Sequence, residues 1–326
     1  MKKIWSLLLV VMLLVLTGCG KQAVSDDAIK VGVLQLMDHE ALNTTYQGFV
    51  DALKDNGLEE GENLVLDFQN PNNDKSALAT MAQQLVNNEN ELILAIGTAS
   101  ALALQQETTT IPILGTAITD YEQIGLVDSN EKPGHNISGS SDFCDMSVQM
   151  DLVETIVPEI RNIGLLYTSS EENSIIQAEQ MQKECEARGW NVMVKTISDL
   201  IMVDDTMQSF VGNIDALYIP TDNTLASSMA SVEIVASEHG IPVIVGCDTM
   251  VQDGGLASVG VNYYDLGYQT GLNAAKILKE GANISEMPVY YTDSEHSEVY
   301  YNSKIAERAN IQLPESLITK GIDMSK

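Results

Sequence analysis

Arginine is almost missing from this chain of 326 residues: Arg161, Arg188 and Arg308 are all it has, and with the lysines they make 17 basic residues against 46 acidic ones. None of the three falls where a strand is expected to end, so a bidentate guanidinium clamp on a ligand carboxylate is not expected. A formal charge of −29 repels nucleic acid and anionic headgroups, which sets both aside as partners and otherwise serves solubility. Tryptophan is scarce as well. Beyond Trp5 only Trp190 remains, at the start of an expected strand, which argues against the ring stacking of a sugar site. The cysteines are Cys19, Cys144, Cys185 and Cys247, and neither they nor the scattered histidines follow a zinc spacing, so no metal is expected. The last three cysteines read as buried free thiols, and their spacing assigns no disulfide. Catalytic signatures are missing too: no G-x-S-x-G, phosphate loop, dinucleotide fingerprint or HExxH occurs. The acidic pairs Asp204-Asp205 and Glu171-Glu172 read as solvated loop or helix-start charges. No catalytic residue, no cofactor and no enzymatic activity are expected.

Long apolar runs are limited to one, residues 4–16, which comes after Lys2 and Lys3 and falls short of the ~20 residues that span a bilayer. It ends in Leu16-Thr17-Gly18-Cys19, which resembles the lipobox of bacterial lipoproteins. That resemblance implies removal of residues 1–18, acylation of Cys19, and a lipid-anchored protein outside the cytoplasm, on the outer face of the cytoplasmic membrane or in the periplasm. Residues 19–28, small and polar after the cysteine, read as a flexible tether.

The chain beyond this tether exceeds one comfortable hydrophobic core, so two domains are expected. Apolar runs alternate with helical periodicity: strand at 29–36, helix through Leu42, Tyr46, Phe49 and Leu53 to a stop at Gly57, strand at 64–68, helix at 78–86, strand at 92–96, helix at 99–106, strand at 111–114. This alternation implies βαβ units and parallel sheets with helices on their faces, an α/β fold. After a polar connection from Gly134 to Asp142 the pattern restarts. Val31-Gly32-Val33-Leu34-Gln35 returns as Ile163-Gly164-Leu165-Leu166-Tyr167. Ile96-Gly97-Thr98-Ala99 returns as Ile219-Pro220-Thr221-Asp222, and Ile111-Pro112-Ile113-Leu114 as Ile241-Pro242-Val243-Ile244. Three echoes in one order predict two similar lobes.

Ligands of open α/β sheets sit beyond the carboxyl ends of the strands, and two such edges facing across a hinge make a cleft that can close on a small molecule. The first lobe offers Gln35, His39, Thr98, Ala99, Ser100, Thr119 and Asp120 at these ends. The second offers Ser170, Asn173, Ser174, Tyr218, Thr221, Asp222, Asn223 and Asp248. Many would also serve as helix N-caps; Thr98, Ser174 and Thr221 suit both roles. Asp222 and Asp248 suit a ligand ammonium group, and His39 reads as a loop hydrogen-bonder. Tyr121, Tyr167, Tyr218, Tyr263 and Tyr264 are placed either to stack on a planar ligand or to fill the lobe junction.

Five segments carry a family likeness: Val31 to Gln35 leading to His39 and Ala41-Leu42; Ala117-Ile118-Thr119-Asp120; Glu171-Glu172-Asn173-Ser174; Ile219-Pro220-Thr221-Asp222-Asn223-Thr224; and Tyr263-Tyr264-Asp265-Leu266-Gly267. The chain resembles the bacterial ABC-transporter substrate-binding lipoproteins of the group that includes tryptophan- and tyrosine-binding members. The resemblance implies a type I periplasmic-binding-protein fold with a three-strand hinge, its first lobe at 29–142 plus 263–281 and its second at 143–262 plus 282–326. It implies an ABC permease and its ATPase as partners, a monomer, and a small ligand, an aromatic or other apolar amino acid, held by residues such as Thr98, Asn173, Ser174, Thr221, Asp222 and Asn223. Tyr121 stands where the family commonly has Pro, and Asp248 where Glu is frequent. A nucleoside or other heterocycle is the alternative ligand, and a sensory partner in the membrane the alternative role.

Overall fold

The computed structural model describes residues 28–291 and 297–325; the apolar leader, the lipobox and Cys19 lie outside the described residues. A first run comprises β1 (Ile29–Gln35), α1 (Glu40–Asp55), β2 (Leu64–Gln69), α2 (Lys75–Asn87), β3 (Leu92–Ile96), α3 (Thr98–Glu107), β4 (Ile113–Ile118) and β5 (Ile137–Ser141). A second comprises α4 (Met146–Ile156), β6 (Asn162–Thr168), α5 (Glu172–Arg188), β7 (Asn191–Ile197), α6 (Val203–Phe210), β8 (Ala216–Ile219), α7 (Asn223–Ala226), α8 (Met229–His239), β9 (Val243–Val245), α9 (Asp248–Asp253) and β10 (Ala257–Gly260). Then come α10 (Tyr263–Glu280), β11 (Tyr290–Tyr291), β12 (Glu298–Tyr301), α11 (Ser303–Arg308), α12 (Glu315–Lys320) and β13 (Ile322–Asp323).

These strands form two sheets, ordered β11-β5-β4-β3-β1-β2 and β13-β12-β10-β9-β8-β6-β7. The order 5-4-3-1-2 of the first is the order 10-9-8-6-7 of the second, so β1 and β6, β3 and β8, and β4 and β9 hold equivalent places, as the sequence echoes predict. Pairing is parallel except between β10 and β12. Central strands such as β3, Leu-Ile-Leu-Ala-Ile, are buried at every position, because helices cover both faces and alternation gives way to a continuous apolar run. Helix α1 instead buries one stripe, with Leu42, Phe49 and Leu53 fully inside, each contributing roughly 1.5–3 kcal/mol of burial.

Two segments depart from the expectations. The polar connection before Asp142 contains β5, whose sequence Ile-Ser-Gly-Ser-Ser is wholly buried. Its serines are tolerated because each finds a partner: Ser138 Oγ donates to the Met287 carbonyl, Ser140 Oγ to the Leu266 carbonyl, and Ser141 Oγ to the Thr119 carbonyl. The second departure concerns residues 282–291, expected in the second lobe. Tyr290 and Tyr291 pair with Ser140 and Ser141 in the first sheet, and the Val289 and Gly134 amides bond the Asn130 and Ser285 carbonyls. The return to the second sheet therefore comes after Tyr291, at β12.

Helix α10 lies against α1 at backbone distance. A Cβ on Gly267 would overlap the Thr45 carbonyl, and one on Gly271 would stand 2.6 Å from the Ala52 Cβ and 2.7 Å from the Phe49 carbonyl oxygen. At the rim Tyr264 and Tyr268 donate to Asp51 and Asp55 at 3.0 and 2.9 Å, so Tyr264 serves this helix pair and not a ligand. Since neither backbone can retreat without disturbing the core, Gly267→Ala should cost about 1–3 kcal/mol. In urea unfolding the midpoint should fall with an unchanged slope; an unchanged midpoint would mean that the helices are free to separate.

Candidate ligand-binding cleft

The carboxyl edges of the two sheets face each other across two adjoining cavities that share Asn173. The first, about 300 Å³, is lined by His39, Leu42, Ala117, Asp142, Thr221, Asp222, Asn223, Ala226, Cys247, Met250 and Tyr263 among others. The second, about 480 Å³, is lined by Leu36, Asn73, Thr98, Ala99, Leu102, Ser170, Glu171 and Glu172 among others. These volumes include open solvent; the space open to water is about 10 Å³ in the first and 70 Å³ in the second, well below the range for small-molecule sites, so a ligand enters only as the two walls part. A larger depression, about 1160 Å³ including open solvent, lies between α3, β5 and the segment after α10, and no buried, unpartnered polar side chain of the described residues lines it. Among the described residues three hydrogen-bonded contacts cross the cleft: His39 Nε2 with Asn223 Oδ1 at 3.2 Å, Asn73 Nδ2 with Thr224 Oγ1 at 3.3 Å, and Gln177 Nε2 with Thr119 Oγ1 at 3.2 Å.

The first lobe brings unused polar atoms to this edge. Gln35 Oε1, Thr98 Oγ1, Ser100 Oγ and Asp142 Oδ1 are buried without a hydrogen-bond partner in the protein, an arrangement that costs about 1–3 kcal/mol for each group left unpaired. Helix α3 begins at Gly97, whose φ of +93° suits glycine and whose missing side chain leaves the first turn uncapped. Helix α5 of the other lobe also starts without a side-chain cap. The residues that open both helices line the second cavity, where their free amides and aligned dipoles, with Lys75, attract an anion and the carboxylates of Glu171 and Glu172 oppose it. Asp142 lines the first cavity. Its Oδ2 accepts from the Tyr263 hydroxyl at 2.7 Å, and burial pushes its carboxyl above the ordinary range. Beside it Ala117 holds φ +54°, a left-handed conformation that is costly for a residue with a side chain.

The second lobe has already used its cleft carboxylates. Asp222 accepts from the Thr168 amide and hydroxyl at 2.6 and 2.8 Å, from Ser174 Oγ at 2.8 Å and from the Leu225 amide at 2.8 Å. It caps α7 and ties it to β6 and α5. The expectation that Asp222 meets a ligand ammonium is therefore corrected: with four donors on two oxygens its capacity is taken up. Burial, and next the charge of Glu171, push Asp222 up to about 7 against the pull of those donors. Glu171, expected to be solvated, is buried and accepts from the Asn223 and Thr224 amides, from Asn223 Nδ2 and from Thr224 Oγ1 at 2.6–2.9 Å. No local pattern marks this role, because the carboxylate caps a helix that lies far along the chain.

Of the other expected residues, His39, Asn173, Thr221 and Asn223 line the first cavity and Thr98, Ala99 and Ser170 the second. Burial holds the His39 imidazole below its ordinary range. Thr119 bridges to Gln177, while Ser174 supports Asp222 and Gln35 holds Met37 and Asn43 through its Nε2. Ser100 is buried in the first turn of α3. Three fall away from the cleft. Tyr218 is fully buried in the second core, its hydroxyl donating to Gln149, because an inward position on a central strand takes a large side chain. Asp120 caps a turn by accepting from the Gln123 amide at 3.0 Å and faces a separate depression with Phe143 and Tyr291. Asp248 accepts from the Thr249 amide and is pushed up to about 6 by burial, while its neighbours Cys247 and Met250 line the cavity. Of the five tyrosines, Tyr263 alone lines the cavities described. Cys185 and Cys247 are buried thiols, both pushed up to about 12 by burial.

Comparison with known proteins places this architecture. The chain is 38% identical to a tyrosine-binding protein of Clostridioides difficile over 95% of its length and 93% of the relative's. Its fold matches the ABC domain from Streptococcus pneumonia in complex with L-Trp, with a TM-score of 0.86 at 33% identity over 91% of this chain and 99% of that one. It matches the ligand-free, open structure of a Clostridium difficile substrate binding protein with adhesive properties less well, TM-score 0.70, although identity is higher at 39%, over the same 91% and 99%. The fold is that of the type I periplasmic binding proteins. The model of the ABC transporter substrate binding proteins matches residues 30–324, and the chain belongs to that family.

Proposed function

We propose that this substrate-binding protein takes an aromatic amino acid into the cleft and hands it to an ABC permease and its ATPase, held at the outer face of the membrane by a lipid on Cys19. The observation that carries this reading is a pair of complementary, unused groups in adjoining cavities. Asp142 offers a free carboxylate oxygen to an ammonium group. The uncapped starts of α3 and α5, with the Thr98 hydroxyl, offer donors to a carboxylate in a chain that has no arginine there. Between them Leu42, Ala117, Ala226, Met250 and Cys247 supply apolar surface for a ring. The tyrosine-binding relative and the tryptophan complex support the same ligand class. Thr98, Ala99, Asn173, Thr221 and Asn223 stand as contact residues, with Asp142 replacing Asp222 as the group that meets the ammonium.

After a denature–refold cycle to strip carried-over ligand, L-tyrosine or L-tryptophan at ~100 times its dissociation constant should add about 2.7 kcal/mol to the native state, read as a thermal shift. A response to nucleosides alone would overturn the amino-acid assignment. By calorimetry, Asp142→Asn should weaken binding by about 1.5–3 kcal/mol, the worth of a hydrogen bond to a charged group. An unchanged affinity would remove Asp142 from the site. The raised Asp142 carboxyl also sets a pH dependence. Its charged form is the one that attracts an ammonium, so affinity should hold at neutral pH, where the ligand amine is protonated, and fall as pH drops through the raised value. Asp142→Asn should remove that fall, whereas a profile shared with wild type would assign it to another group.

A further inference from the structure

Helix α7 sends two side chains across the cleft, Asn223 to His39 and Thr224 to Asn73. Which atom each presents is decided on its far side. Asn223 Nδ2 donates to Glu171 Oε2 at 2.8 Å, and Thr224 Oγ1 donates to Glu171 Oε1 at 2.6 Å. Each oxygen of Glu171 also accepts from a backbone amide of α7, so both act as acceptors, and the amide nitrogen and the hydroxyl hydrogen are both turned toward Glu171. What remains for the first lobe is acceptor: the Asn223 carbonyl oxygen and a lone pair of Thr224. The other side matches. Asn73 offers its amide nitrogen, and His39, at the start of α1 with no side-chain cap bond, must carry its proton on Nε2 to pair with Asn223 Oδ1. Glu171 also takes the two backbone amides at the start of α7, so the helix that carries the latch cannot rotate independently of it.

We infer that Glu171 is a positioning residue for lobe closure: it fixes the hydrogen-bond polarity of Asn223 and Thr224 and thereby makes α7 an acceptor-only latch for His39 and Asn73. This goes beyond the ligand assignment and holds for any solute the cleft closes on. Glutamine at position 171 would turn an amide N–H₂ toward a backbone amide and a side-chain donor. Whichever of Asn223 and Thr224 faces that N–H₂ would then be free to reverse, presenting a donor to a donor across the cleft.

The test is a double-mutant cycle on dissociation of L-tyrosine or L-tryptophan from the purified full chain, monitored by stopped-flow fluorescence. Glu171→Gln should release the ligand roughly tenfold faster, the effect of one neutral hydrogen bond across the cleft replaced by a donor facing a donor, ~1–2 kcal/mol. The paired change His39→Ala and Asn73→Ala, which leaves α7 and its caps intact, should do the same. Glu171→Gln added to that pair should change the rate less than about twofold, because the latch it acts through is gone. An equal tenfold effect in both backgrounds would make Glu171 a helix cap and overturn the inference. The ring-nitrogen NMR signals of His39 give a second readout that the fold alone does not move. Proton occupancy on Nε2 in wild type should give way to a tautomer mixture in Glu171→Gln, and identical signals in the two would overturn the latch. Should wild type bind neither amino acid, the ligand assignment falls and the His39 signals still decide the role of Glu171.

Discussion

A buried polar atom must find a partner, and this rule divides the cleft into two unlike walls. Along the cleft the carboxylates of the second lobe obey it internally, and its unpartnered Gln180 and Ser258 oxygens line neither cavity. Glu171 and Asp222 take the donors of α7 and β6 and the Ser174 hydroxyl, which makes that wall rigid and leaves it only the uncapped amides at the start of α5 to give. The first lobe leaves it unmet in the cavities themselves at Thr98 and Asp142. Such a deficit is tolerated in a native protein where something outside the fold supplies the missing partner, and a solute with both charges supplies it at both ends. The rigid wall sets the shape of the cleft and the unspent wall sets its chemistry.

The fold was legible because it rests on periodicity and repetition. Buried central strands read as apolar runs, α1 read as a helix from Leu42, Phe49 and Leu53, and the echo of the first lobe in the second survives as one shared strand order. What escaped is what depends on partners distant in sequence. Strand β5 reads as a linker, since the groups that satisfy its serines lie at Thr119, Leu266 and Met287. The site was half legible for the same reason. Thr98 and Asn173 sit at strand ends, which the pattern marks. Asp142 comes just after that unrecognised strand, and the four bonds of Asp222 are visible only once β6 and α5 are folded beside it.

Charge assignments fared worse than position for a physical reason. A sequence shows that a carboxylate stands near a strand end but not how many donors meet it there. Asp222 and Asp142 look alike in one dimension. In three, one has its lone pairs taken by four donors, and the other keeps an oxygen free beside an apolar lining. The structural carboxylate and the one open to a ligand are told apart by counting donors, not by burial, since both are buried.

A clamp must also reopen, and the chemistry across the cleft suits that. The ion pairs of Arg188 with Asp151, Glu154 and Glu184, of Arg308 with Glu233 and of Lys54 with Glu59 each stay within one lobe. The contacts that cross are neutral and long, at 3.2–3.3 Å. Each is worth about 0.5–1.5 kcal/mol net, so together they hold closure with a few kcal/mol, comparable to the differential affinity that one small ligand provides. A buried ion pair in their place would resist separation far more strongly, since parting it would strand two charges. Weak, directional, neutral bonds keep the two states close in energy, and a solute that satisfies the first lobe's unmet groups can then decide between them. Chemistry on that solute needs no part in this, in keeping with a family that binds solutes and does not transform them.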